Sequence, residues 1–207
     1  MDGVNRHGPL VATNHLVLSC PKRVFSINSA HEEDSARSYL EADYMQVVSF
    51  FHSLWGHAWL DGVMIAIANF GLFISLAAFV FGLWRRRPRG LLPWFALGTA
   101  AAALLDLLGG HVFFDQCPFV RLGVAPLFAH SPDNGFPSDH SAVAAFIAAI
   151  LWFIDAPSAA VAIVAALAIG IARTYALVHW PIDIIGGWCI GALPAVIVLH
   201  VWRTRNG

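Results

Sequence analysis

Charge is scarce in this chain. Of its 207 residues, 12% are Asp, Glu, Lys or Arg, and the formal net charge is −1. A soluble domain carries about twice that share of charge. So even a balance indicates neither a nucleic-acid partner nor a basic protein of the membrane surface. Cysteine is scarce as well. Cys20, Cys117 and Cys189 are odd in number and far apart, which fits neither a disulfide framework nor a zinc pattern. Internal repeats and low-complexity linkers are missing, and the first residues do not follow the basic-then-apolar layout of a signal peptide. What fills the chain instead is apolar: 58% of residues, with a mean hydropathy of +0.66.

A span needs about 20 mostly apolar residues to cross roughly 30 Å of hydrocarbon. Five stretches meet or approach that length: 62–84, 91–110, 141–154, 158–178 and 182–202. The third is short unless it begins inside the preceding loop. The expected fold is all-α, an integral membrane bundle of about five transmembrane helices. Only Asp106 and Arg173 place a full charge well inside these stretches, while Asp183 sits at a mouth. Arg85, Arg86, Arg87 and Arg89 lie between the first two spans, and Arg203 and Arg205 follow the fifth. Basic residues in short loops mark the cytoplasmic side. The 111–140 loop and the turn around His179 then share the outer face. The expected location is the inner or plasma membrane, with that face toward the periplasm or cell exterior.

Residues 1–44 differ in kind. They are polar, with a charged run from His31 to Glu41, and are expected to be a disordered extension ahead of a membrane domain over 45–207. Met45 offers an alternative natural start. The segment from Phe50 to Leu60 is rich in Phe, Trp and His and too short to span, so it suits an interfacial N-terminal helix. Gly187 and Gly191 form a Gly-x3-Gly spacing, expected chiefly to permit close helix packing, with a homodimer as the minor alternative.

Two clusters carry chemistry. One is Gly135-Phe136-Pro137-Ser138-Asp139-His140-Ser141; the other runs from Arg173 through His179-Trp180-Pro181 to Asp183. Both fall at helix mouths on one side of the membrane. A proline in the first turn loses no hydrogen bond there, so Pro137 and Pro181 are each expected to open a helix. Amides around Ser138, Asp139 and His140 would then face an anion. A carboxylate such as Asp183, holding one ring nitrogen of His179, would free the other as nucleophile or base. Arg173 offers a charged fork for phosphate oxygens. His140, if protonated, donates to a leaving oxygen.

The pattern Pro-Ser-x-His followed by Arg-x5-His-x3-Asp resembles the second and third signature motifs of the type 2 phosphatidic acid phosphatase superfamily. Pro137, Ser138, His140, Arg173, His179 and Asp183 match it in order and spacing. The Pro-Ser-Asp-His form, preceded by His130-Ser131-Pro132-Asp133-Asn134-Gly135-Phe136, looks like its bacterial undecaprenyl-diphosphatase branch, known for bacitracin resistance. The resemblance covers about Met45 to the C-terminus. It implies a helical-bundle lipid phosphatase with no metal and no cofactor. His179 would form a phosphohistidine, Asp183 would orient it, and His140 would protonate the leaving group. Arg173, Ser138 and the amides near Asp139 would hold the phosphate.

The family's first motif, Lys-x6-Arg-Pro, is altered. Gly110 stands where Lys is expected and Cys117 where Arg is expected, although Pro118 and Phe119 fit. Ala172 replaces the usual Ser before Arg173. Arg121 and His111 lie nearby, and Arg121 is the residue expected to replace part of the missing charge. Four readings follow. The first is an enzyme acting on a lipid phosphate or diphosphate at the outer face, best matched by conversion of undecaprenyl diphosphate to undecaprenyl phosphate. A near alternative is the same chemistry on phosphatidate or phosphatidylglycerol phosphate. A different class is a non-catalytic descendant that binds lipid phosphates. A metal centre of His130, His140, His179 and Asp183 ranks last, because Arg173 and the helix-mouth prolines suit phosphate better.

Overall fold

The structure is a computed structural model that describes residues 43–206. The polar extension expected over 1–44 lies outside the described residues, except for Asp43 and Tyr44, which open the first helix. Among the described residues seven helices follow one another: α1 (43–53), α2 (Ala58–Arg86), α3 (Leu92–Val112), α4 (Pro118–Leu122), α5 (Asp139–Ile154), α6 (Ala156–Tyr175) and α7 (Pro181–Asn206). Four of them, α2, α3, α6 and α7, are long and apolar enough to cross a membrane. The expected fifth span, α5, has 16 residues, about 24 Å of helix. It compensates by position. It packs against α2, α3, α6 and α7, and its alanines Ala142, Ala144, Ala145 and Ala148 are buried against them. Apolar side chains elsewhere point outward. Phe70, Phe73, Trp84, Leu104, Leu107 and Val164 are all exposed. An outer surface this apolar is matched to lipid rather than water.

The aromatic segment before α2 is not one helix. α1 already begins at 43, the chain turns over 54–57, and α2 starts at Ala58 rather than near Gly62. Gly56 makes the break, with φ +93°, a region that favours glycine. The Asp61 carboxylate accepts its N–H at 2.9 Å. α1 docks through the fully buried Val48 onto Cys117, Phe119, Leu177 and Trp180.

The two ends of the bundle are chemically distinct. At one end Asp155 caps α6, accepting from the Ser158 amide at 3.3 Å and its hydroxyl at 2.7 Å. Arg86 Nε donates to the same buried carboxylate at 2.9 Å, and Arg85 lies 3.5 Å from it. The α5–α6 turn, which carries no basic residue, is thereby tied to the arginine-rich end of α2. The Ser158 hydroxyl and then Arg86 hold the Asp155 carboxyl below its ordinary range. At the other end lie the N-termini of α5 and α7 and the C-terminus of α6. That end holds every motif residue.

Gly187 and Gly191 face α5. A Cβ on Gly191 would stand 2.0 Å from the Ala142 carbonyl oxygen, and one on Gly187 2.5 Å from that of Ser138. The Gly-x3-Gly spacing is therefore used inside the chain, to bring the α7 backbone against α5.

Candidate active site

The α6–α7 turn sets the centre. α6 ends at Tyr175, and Leu177 takes φ +61°, unusual for a residue with a side chain. The turn is held by neighbours: the Phe119 amide donates to the Leu177 carbonyl at 3.0 Å, and Trp180 Nε1 donates to the Gln116 carbonyl at 2.7 Å. This reversal places His179 beside Arg173, one turn back on α6. Arg173 NH2 lies 3.2 Å from His179 Nε2. On the other side of the ring, Nδ1 lies 2.8 Å from the Gly135 carbonyl oxygen. A carbonyl only accepts and a guanidinium only donates. The two partners therefore assign the tautomer: Nδ1 carries the proton, and Nε2 presents its lone pair.

Asp183 plays a different part from the one expected. Its Oδ2 is 3.7 Å from Nδ1, beyond a hydrogen bond, and accepts instead from the Trp180 amide at 2.8 Å. It is the third residue of α7, fully buried, reaches back to the amide just before the helix, and is close enough to the ring to act on it through charge. The partner that fixes the imidazole is a backbone carbonyl, which residue types did not reveal.

That carbonyl is positioned by the loop between α4 and α5. Asn134 ties the loop down. Its Nδ2 donates to the Gly110 and Phe113 carbonyls, both at 2.8 Å, and its Oδ1 accepts from the Asp115 amide at 2.9 Å. The Gly135 amide donates to the Asp115 carbonyl at 2.7 Å. A Cβ on Gly135 would sit 3.1 Å from Asp183 Oδ2 and 3.3 Å from the Asp115 carbonyl oxygen. The lack of a side chain lets the loop close on His179.

Pro137 does not open α5 from its first turn. It precedes the N-cap residue, Ser138, and follows a cis peptide bond from Phe136. Of the three amides expected to face an anion, that of Ser138 is taken by the Asp183 carbonyl at 3.1 Å. The Ser138 side chain makes no cap; its buried hydroxyl accepts from Ser141 at 3.1 Å. The N-cap side chain therefore leaves the α5 N-terminus uncapped. Asp139, exposed in the first turn, has its carboxyl beside that of Asp106 on α3. His140 is half-buried, within electrostatic range of Arg173 and His179. Arg121 is exposed, with its guanidinium over the Trp180 ring at 5.8 Å.

His130 joins the site, although residue types placed it only in the metal alternative. Its ring meets that of His179 edge-on at 5.7 Å and contacts Phe119 and Phe128. Burial, then Arg173 and His179, hold its pKa below the ordinary value. Cys117 is fully buried at the N-cap of α4. Its thiol points to the Asp133 carbonyl at 3.6 Å. Burial, and next the Asp133 charge, push its pKa up to about 11, so it is a neutral thiol at physiological pH.

Comparison with known proteins supplies the family. The PAP2 superfamily model matches residues 90–207. The Escherichia coli (strain K12) protein provisionally named undecaprenyl-diphosphatase YbjG is 30% identical over 151 residues, which cover 72% of this chain and 76% of that protein. Undecaprenyl-diphosphatase BcrC of Bacillus subtilis (strain 168) is 26% identical over 153 residues, covering 72% and 78%. Among solved structures, a transmembrane PAP2-type phosphatidylglycerolphosphate phosphatase from Bacillus subtilis superposes with a TM-score of 0.59. The match is 24% identical and covers 80% of this chain and 87% of that one. Family match, helical bundle and motif geometry converge on one assignment: this chain is a multi-pass membrane phosphatase of the PAP2 superfamily.

Proposed function

We propose that the protein removes the terminal phosphate of an isoprenoid diphosphate, best matched by undecaprenyl diphosphate, through a phosphohistidine at His179 on the outer membrane face. The observation that carries this is the position of the His179 ring between the Gly135 carbonyl and Arg173. One partner holds the proton on Nδ1. The other is a guanidinium standing beside the lone pair that would attack phosphorus. A phosphate entering there meets the Arg173 donors and the α5 N-terminus, which the N-cap side chain leaves uncapped.

The chemistry then runs in two balanced steps. Nε2 attacks the terminal phosphorus, an N–P bond forms, and the bond from phosphorus to the bridging oxygen breaks. His140 gives that oxygen a proton. The ring becomes a phospho-imidazolium whose charge faces the Gly135 carbonyl and Asp183. Water next attacks phosphorus, His140 takes a proton from it, and the N–P bond breaks to release inorganic phosphate. Arg173 neutralises charge throughout, as phosphoryl transfer requires.

Undecaprenyl diphosphate is preferred because the motif form resembles that branch and two of the three proteins named above carry that activity in their names. Phosphatidylglycerol phosphate and phosphatidate remain the alternative substrates. The test is phosphate release by purified protein from the three lipids side by side, with His179→Ala as control. The expected result is fastest release from the isoprenoid diphosphate, and none from His179→Ala. Release equal in the two proteins would remove His179 from the mechanism. Folded protein inactive on all three lipids would leave the non-catalytic reading in its place.

A further inference from the structure

Three residues beside His179 have no part in this scheme. Cys117, His130 and Asp133 each offer one donor atom, and the three atoms lie within 4.8 Å of one another. We propose that Cys117, His130 and Asp133 form a binding site for a borderline divalent cation of the Zn²⁺ class, which supplies beside His179 a positive charge that the altered first motif lacks. The proposal rests on the phosphatase reading for its effect, but not for the binding itself.

The donor set selects the ion. Thiolate and imidazole favour Zn²⁺ and its neighbours, whereas Mg²⁺ and Ca²⁺ require oxygen cages. Tetrahedral ligands at the usual Zn–N, Zn–O and Zn–S lengths lie about 3.5 Å apart. No pair of the three donor atoms needs to close by more than about 1.3 Å, and Asp133 is exposed. The other two ligands are already held. Cys117 is buried at the start of α4, and the His130 ring is fixed edge-on by Phe119, Phe128 and His179. Asp133 also gives the ion a route from solvent. Three protein ligands leave a fourth position for water or a phosphate oxygen, the pattern of a working rather than a purely structural zinc site.

The charge balance gives the site a purpose. Binding breaks the Cys117 S–H bond, forms a metal–sulfur bond and releases one proton to solvent. The pocket gains two positive charges and loses one, a net gain of one. That is the charge of a single arginine. Cys117 stands where the motif has its Arg, and the thiol lies close enough to Arg173 and Asp183 to interact with both charges.

The test uses full-length protein in detergent, with Cys20→Ser and Cys189→Ser so that Cys117 is the only thiol. After chelation the protein is titrated with Co²⁺, whose thiolate charge-transfer band reports sulfur ligation, and then with Zn²⁺ in competition. One equivalent with that band is expected. Cys117→Ser is expected to abolish the band. His130→Ala and Asp133→Ala are each expected to weaken binding by more than the 10–100-fold that an outer-shell partner typically costs. No band, or affinity unchanged in all three variants, overturns the site. Activity is the second readout: loading with Zn²⁺ is expected to raise kcat/KM about tenfold, the scale of one charged contact. An equal or lower rate with metal overturns the charge-replacement role. The optical titration is read without turnover, so loss of the phosphatase reading and loss of the metal site are told apart.

Discussion

Replacing Asp183 by Asn separates its charge from its hydrogen bond. Oδ2 accepts from the Trp180 amide at 2.8 Å and stands 3.7 Å from His179 Nδ1. The Asn carbonyl oxygen is an acceptor of the same kind and can keep the Trp180 bond. The start of α7 is therefore expected to hold its place. The negative charge is lost. When Nε2 takes the phosphoryl group, the ring still carries its Nδ1 proton and becomes cationic. Unit charges about 4 Å apart, at an effective dielectric of 20, interact by about 4 kcal/mol. With about half that charge developed at the transition state, the carboxylate contributes ~2 kcal/mol, or about 30-fold in kcat.

The assay is phosphate release at saturating lipid in detergent micelles, wild type against Asp183→Asn. Thermal unfolding of both is measured in parallel. It matters because Asp183 Oδ1 is buried without a hydrogen-bond partner. An amide placed there is an unsatisfied donor, costing about 1–3 kcal/mol of stability at most. A fall in kcat of about 30-fold in folded protein supports the electrostatic role. A folded variant within threefold of wild type refutes it: the carboxylate would then do no more than hold the Trp180 amide, with the Gly135 carbonyl alone supporting the cationic ring.

Three further outcomes are expected. Gly191→Ala places a methyl 2.0 Å from the Ala142 carbonyl oxygen, so α5 and α7 must separate; a loss of at least about 1–3 kcal/mol is expected by denaturant titration, and an unchanged midpoint would mean the helices are not in contact there. Asp155 has its pKa lowered in the folded state, so the stability it lends is complete above the unfolded carboxyl value and fades as pH falls through the lower folded value; Asp155→Asn is expected to lower the melting midpoint at neutral pH and to flatten its dependence on acid, and identical pH profiles would count against the Arg86 pair. Ser131→Cys, with the native cysteines replaced, is expected to react with an impermeant thiol reagent on intact cells, while labelling only after lysis would reverse the assigned orientation.

The helices were legible because lipid imposes a simple composition over about 20 residues, and α2, α3, α6 and α7 follow it. α5 was harder. Its alanines bury inside the bundle, so it need not meet lipid along its full length. The motif residues were legible by type: His140, Arg173, His179 and Asp183 do gather at one end. Their hydrogen bonds were not. The group that holds His179 is the Gly135 carbonyl, and every residue has a carbonyl, so no side-chain pattern marks it. Asn134 could have been suspected, since Asn commonly ties its own loop, but three of its partners lie about 20 residues away. His130 stood in the sequence only as part of the His130–Phe136 stretch and of the metal alternative, and the α4–α5 loop folds it against His179.

Two helix N-termini point toward the site, and only one is available to an anion. α7 begins with Pro181, which has no N–H, and the preceding Trp180 amide is already bonded to Asp183. The positive end of that helix is thus spent on its own Asp183. α5 is the reverse. Its N-cap residue, Ser138, turns its hydroxyl to Ser141 rather than to the helix backbone. In the proposed function the phosphate therefore sits over α5, beside Arg173 and the ring of His179. A phosphate dianion held there meets one guanidinium and a helix end equivalent to roughly half a charge, with the exposed Asp139 in the first turn opposing it. That leaves a deficit of at least about half a charge. An ion bound to Cys117, His130 and Asp133 would fill the deficit without crowding Arg173, which is why the cysteine in the arginine position reads as an exchange of one cation for another.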